Sequence, residues 1–114
     1  MIQVLHNPRC GKSRNCLAFL ENKNKSFEII SYLNQPLSCD EIKSLLKKLK
    51  IKPIAIVRQK ESIWIEHFKN KNPTDNAIII ALADYPILIE RPIIIDGDYA
   101  FIARELEKIE AYFT

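Results

Sequence analysis

The first 32 residues run strand, loop, helix, strand, and that order restricts the chain to folds built on a parallel strand pair. Ile2-Gln3-Val4-Leu5 reads as a short buried strand, and Asn7 and Pro8 mark His6-Asn7-Pro8-Arg9 as a loop. Leu17, Phe19 and Leu20 give an apolar face to a helix that reaches about Asn22, with Ser13 as its expected N-cap. Residues 27–32 alternate as a second strand. Two strands joined through a helix lie parallel, because a hairpin cannot connect them. The other end of the chain carries the opposite pattern. Ile87–Pro92 leads into Ile93-Ile94-Ile95, Asp96-Gly97 is a hairpin turn, and Tyr99-Ala100-Phe101-Ile102 returns. A terminal helix then follows over Arg104–Phe113, with Leu106, Ile109 and Phe113 inward.

Between these β-rich ends the pattern is helical. Ser38-Cys39-Asp40-Glu41 is a capping box, followed by Ile42, Leu45, Leu46 and Leu49 at helical spacing. Pro53 opens a short helix carrying Ile54, Ile56 and Val57, and two more helices are expected over Ser62–Phe68 and Thr74–Ala83. The expected architecture is α/β: one domain over residues 1–114, with a mixed four-stranded sheet, flanking helices and a helical insertion over about 38–84.

Composition narrows the class. Hydrophobic residues at 47% and charged residues at 27% exclude disorder and collagen. No apolar run approaches the roughly 20 residues that span a bilayer, and the N-terminus lacks a signal-peptide pattern, so no membrane association and a cytoplasmic location are expected. Three cysteines, Cys10, Cys16 and Cys39, do not make a disulfide scaffold and read as reduced thiols. With only two glycines, Gly11 and Gly97, a glycine-rich phosphate cradle is excluded, and no His/Cys/Asp set has metal spacing. Residues 43–71 are strongly basic, which reads first as a solvated helix face and second as an attraction for an acidic partner or nucleic acid, without the aromatic interleaving of a base-stacking surface.

The chemistry concentrates in His6-Asn7-Pro8-Arg9-Cys10-Gly11-Lys12-Ser13-Arg14. Cys10 stands just before a helix N-terminus, where free backbone N–H groups and the dipole favour an anion. A thiolate there can have its pKa lowered from about 8.5 to between about 3.5 and 7.5, and the thiolate is the nucleophile. Arg9, Lys12 and Arg14 add positive charge. Three related motifs fail. A P-loop needs glycine at position 6, which is His6. A Cys-x5-Arg phosphatase loop needs arginine at 16, which is Cys16. A Cys-x-x-Cys dithiol needs cysteine at 13, which is Ser13. The segment is a single-cysteine anion site with no adjacent resolving thiol.

His6-Asn7-Pro8-x-Cys10-x-x-Ser13-Arg14, with Arg58 and then Leu88-Ile89-Glu90-Arg91-Pro92-Ile93-Ile94-Ile95 about 80 residues on, resembles the glutaredoxin-coupled arsenate reductase family, which also includes Spx-type transcriptional regulators. The resemblance covers essentially the whole chain. It implies a thioredoxin-like fold with an inserted helical subdomain. It implies that Cys10 attacks arsenate, that glutathione is the co-substrate with no bound cofactor, and that glutaredoxin reduces the resulting mixed disulfide. Arg58 and Arg91 match oxyanion-binding arginines, and Ser13 and Arg14, in the matched cysteine loop, are expected to bind the substrate with them. His6 matches a histidine that helps to keep the cysteine deprotonated, and Pro92 matches a cis-proline facing it. A third oxyanion-binding arginine of the family is matched here by Phe101, with Arg104 three residues on, which implies weak arsenate turnover and a gain from Phe101→Arg.

Two alternatives stand beside an arsenate-reducing monomer. One is an Spx-like regulator that binds RNA polymerase, favoured only by the basic stretch 43–71. The other is a general glutathione-dependent thiol reductase with no oxyanion substrate. Cys16 and Cys39 are expected to be, respectively, a packed helix residue and incidental.

Overall fold

The computed structural model describes all of residues 1–114. Four strands, β1 (Ile2–Leu5), β2 (Phe27–Ile30), β3 (Ile93–Asp96) and β4 (Tyr99–Ile102), form one sheet in the order β2-β1-β3-β4. β1 pairs parallel with β2 and antiparallel with β3, and β3 pairs antiparallel with β4. This mixed sheet with its helices is the thioredoxin-like arrangement. The central strands are continuous apolar runs because both of their faces are covered: Val4, Leu5, Ile93 and Ile94 have no solvent exposure.

The chain divides into two compact units, residues 1–32 with 91–114, and residues 33–90. In the first, helix α1 (Gly11–Asn22) connects β1 to β2 and helix α5 (Leu106–Tyr112) closes the chain. Cys16 and Leu20 of α1 and Ile109 of α5 pack with Val4 and Ile94 into one core. α1 starts earlier than its sequence predicts. Cys10, not Ser13, occupies the N-cap, because the Ser13 hydroxyl is buried and accepts the Asn7 N–H instead. The β3–β4 hairpin turns at Gly97, whose φ of 64° is the left-handed conformation that a side chain resists.

The second unit holds α2 (Cys39–Leu49), α3 (Ser62–His67) and α4 (Asp75–Asp84), with single 3₁₀ turns at Pro53–Ile56 and Pro86–Leu88. The Ser38 hydroxyl accepts the Glu41 N–H while the Glu41 carboxylate accepts the Ser38 N–H, so the capping box is complete. Thr74 caps α4 through the Ala77 N–H. The unit's core is built from Ile42, Leu45, Leu46, Ile56, Trp64, Ile78, Leu82 and Leu88, all less than one-tenth exposed. Ile89 pairs with Val57 in an isolated bridge, so the approach to β3 is a tethered turn and not an extension of the strand.

Candidate active site

The loop after β1 is built to present Cys10. Its backbone groups have few partners of their own, and Asn7, only 3% exposed, supplies them. The Asn7 side-chain carbonyl accepts the Arg9 N–H, its backbone carbonyl accepts the Cys10 N–H, and its own N–H donates to Ser13. Arg14 closes the loop from outside by donating to the Pro8 carbonyl at 3.0 Å. The Cys10 carbonyl then accepts the Arg14 N–H as the first bond of α1. The Cys10 sulfur is left half-buried at the helix start.

Burial alone would push this thiol up. The Ser13 N–H, the Arg91 guanidinium and the Lys12 N–H, all directed at the sulfur, outweigh it and bring the pKa from 9.0 down to about 7. Cys16, one and a half turns along α1, has only the burial and is pushed up to about 11. His6 is held below its ordinary value by burial and by the charge of Arg14, so its imidazole is neutral near pH 7. Its Nδ1 is buried without a hydrogen-bond partner.

Two guanidinium groups face the sulfur's neighbourhood. Arg91 immediately precedes Pro92, and the Arg91–Pro92 peptide is cis. Its Nε and one terminal nitrogen, Nη1, are buried without protein partners, so they remain donors for a ligand. Arg104 places Nη1 4.0 Å from the Cys10 sulfur and 2.8 Å from the Arg91 carbonyl. The hairpin explains this meeting. Ile93 pairs with Ile102, so continuing the antiparallel register brings residue 91 opposite residue 104.

The profile of the ArsC family matches residues 5–112. An arsenate reductase of Neisseria meningitidis is 38% identical over 112 residues, covering 96% of both chains. An arsenate reductase of Haemophilus influenzae is 37% identical over 108 residues, covering 93% of both. A solved structure of an arsenate reductase from Vibrio cholerae superposes with a TM-score of 0.90 at 35% identity, covering 96% of this chain and 95% of that one. The chain belongs to the ArsC family.

In this ArsC family member the second guanidinium beside the thiol comes from Arg104, not from position 101. Phe101 pairs with the fully buried Ile94 and lies against the α1/α5 core, its ring 5.9 Å from that of Tyr99 and 5.0 Å from that of Tyr112. Arg104, at the end of the same strand, is the residue beside Cys10. The expectation that position 101 supplies the thiol's surroundings is therefore corrected by strand register: Phe101 lies partly buried against the α1/α5 core and the rings of Tyr99 and Tyr112, while Arg104 reaches the sulfur.

The structure brings together Cys10, Ser13, Arg14, Arg91, Pro92 and Arg104, with His6 at the end of β1. Ser13 contributes through its backbone N–H and as a buried acceptor, and Arg14 through the loop carbonyl. Arg58 belongs to the second unit, where its N–H donates to the Leu88 carbonyl and its Nε stands 3.9 Å from the Glu61 carboxylate. Asn7 and Arg104 were the site residues that sequence reasoning undervalued. Asn-Pro after a strand signals the first, and counting outward from the Asp96-Gly97 turn signals the second. No helix is long and apolar enough to cross a membrane.

Proposed function

We propose that this chain is an arsenate reductase in which the Cys10 thiolate is the nucleophile, glutathione the reductant and glutaredoxin the partner that regenerates the thiol. The observation that carries the reading is a thiol held at about 7 beside a guanidinium with two open donors. A tetrahedral oxyanion spreads its charge over several oxygens, and guanidinium forks match these two at a time. Arg91 and Arg104 hold the oxyanion against the sulfur, and Arg58 is assigned to the same anion by the family resemblance. His6, its pKa held below the ordinary value by burial and by Arg14, is assigned by the family resemblance to help keep Cys10 deprotonated.

The sequence of steps follows from the chemistry. The Cys10 thiolate bonds to arsenic, and one arsenate oxygen leaves as water after taking up two protons. A glutathione thiolate then attacks the Cys10 sulfur. The sulfur–arsenic electron pair passes to arsenic, which leaves as As(III), while Cys10 and glutathione are joined as a disulfide. A second thiol, delivered by glutaredoxin, reduces that disulfide and restores Cys10. In sum, one arsenate and two thiols give one arsenite, one disulfide and one water.

Protection from alkylation tests the assignment. Arsenate is expected to slow iodoacetamide modification of Cys10 in the unmodified protein and to lose that effect in Arg91→Ala. Equal protection in both proteins would reduce Arg91 to a bystander.

A further inference from the structure

One groove of the first unit meets the site above at Arg104. It runs between α1 and α5, has a volume of about 260 Å³, and is lined by Lys12, Asn15, Phe19 and Asn22 on one side and by Leu106 on the other. Arg104 stands at its head, and the same guanidinium lies 4.0 Å from the Cys10 sulfur. The head of the groove and the thiol therefore share the Arg104 guanidinium.

We propose that this groove binds the reductant, a small thiol peptide with free carboxylates. The assignment rests on the reading that Cys10 is resolved by an external thiol. The first unit's other thiol, Cys16, is fully buried and pushed up to about 11, so it is no resolving partner. The lining favours this ligand class. It contains two cations, Lys12 and Arg104, and no acidic residue. Asn15 and Asn22 offer amide donors and acceptors that suit peptide bonds. Phe19 and the exposed Leu106 give apolar surface for a peptide's methylenes.

Size points the same way. Lys12, Asn15, Phe19 and Asn22 are three, four and three residues apart and so form one stripe along α1, about 15 Å long at the helical rise. An extended tripeptide spans about 10 Å. The volume is slightly below the roughly 300–1,000 Å³ of drug-sized pockets, which suits a tripeptide. A carboxylate on Lys12 or Arg104 would anchor the ligand at the end of the stripe nearest Cys10.

The test uses S-methylglutathione, whose capped sulfur cannot react, titrated into the isotope-labelled full chain and followed by amide chemical shifts. Saturable shifts at Lys12, Asn15, Ala18 and Asn22 are expected, with the dimethyl ester of the probe binding at least about tenfold more weakly. Ala18 is exposed on the groove wall, and the thiol's pKa owes nothing to it. Ala18→Glu should weaken the probe about tenfold by like-charge repulsion and raise KM for glutathione, with KM for arsenate and the Cys10 alkylation profile unchanged. Equal affinity for the ester, shifts confined to residues outside the groove, or an inert Ala18→Glu would each overturn the proposal. Probe binding in the groove without any arsenate turnover would uphold the groove and overturn the substrate reading. Turnover without groove shifts would do the reverse.

Discussion

Replacing Arg91 by methionine keeps an unbranched stem of similar bulk and removes a charged group that both donates to the Cys10 sulfur and attracts its charge. The helix-start donors, the Ser13 and Lys12 N–H groups, stay in place. A hydrogen bond to a charged group contributes roughly 1.5–3 kcal/mol, which corresponds to about one to two pKa units at 1.36 kcal/mol each. The Cys10 pKa should therefore rise from about 7 by at least about one unit. For a one-unit rise, the thiolate fraction below the midpoint falls about tenfold, while the more basic thiolate is about threefold more nucleophilic. The rate of iodoacetamide modification should then drop about threefold on the acid side and rise about threefold on the alkaline plateau. Peptide mass mapping across pH resolves the Cys10 profile from that of Cys16. A midpoint unchanged in Arg91→Met would refute the reasoning, and so would a drop at every pH, which would indicate lost access and not lost charge.

Arg104→Ala should lower arsenate kcat/KM by about ten- to a hundredfold, given roughly 1.5–3 kcal/mol for a charge-assisted contact, whereas Phe101→Arg should give no gain and a lower melting temperature, because its ring fills the aromatic cluster with Tyr99 and Tyr112. Both variants are read in the same coupled assay and melt. Ser38→Ala removes one half of the capping box of α2 and should cost about 1 kcal/mol in urea unfolding without changing the Cys10 alkylation midpoint. The two shifted thiols give opposite pH signatures in stability. Cys10, lowered, contributes stability above its unfolded value of about 9 and loses it as pH falls through about 7; Cys16, raised, contributes below about 9 and loses it as pH rises to about 11. Cys16→Ala should therefore flatten the alkaline limb of a melting-temperature profile, while Cys10→Ser flattens the step near neutrality.

The strand pairing was legible because it rests on strong local signals. Ile2–Leu5 and Ile93–Ile95 are largely apolar, and Asp96-Gly97 marks the only glycine turn of the sheet, so the β1–β2 and β3–β4 neighbours follow from a parallel crossover and a hairpin, while the antiparallel β1–β3 pairing that joins them has no local signal. Helix starts were legible where a side-chain oxygen caps them, as at Ser38 and Thr74, and also at Ser62 without one, but the start of α1 was misread. Ser13 has the chemistry of a cap, but its hydroxyl is committed to Asn7, a choice made by the folded loop and invisible along the chain. Several turns are carried by Asn24, Asn70, Asn72 and Lys50 at positive φ, in a chain with two glycines, and Lys50 in particular carries no turn signal of its own. At the site, Cys10 was legible from its place between strand and helix. The family's third oxyanion-binding arginine was matched to Phe101 by chain position, whereas the hairpin register decides which side chain turns toward the thiol, and that is Arg104.

The central claim is that arsenate is reduced through Cys10. NADPH oxidation coupled through glutathione reductase, glutaredoxin and glutathione, started by arsenate, measures it directly. The account predicts oxidation that saturates with arsenate, is abolished in Cys10→Ser and persists in Cys39→Ser. Arsenate-dependent oxidation surviving in Cys10→Ser, or none in the unmodified protein under conditions where a known arsenate reductase turns over, would contradict it.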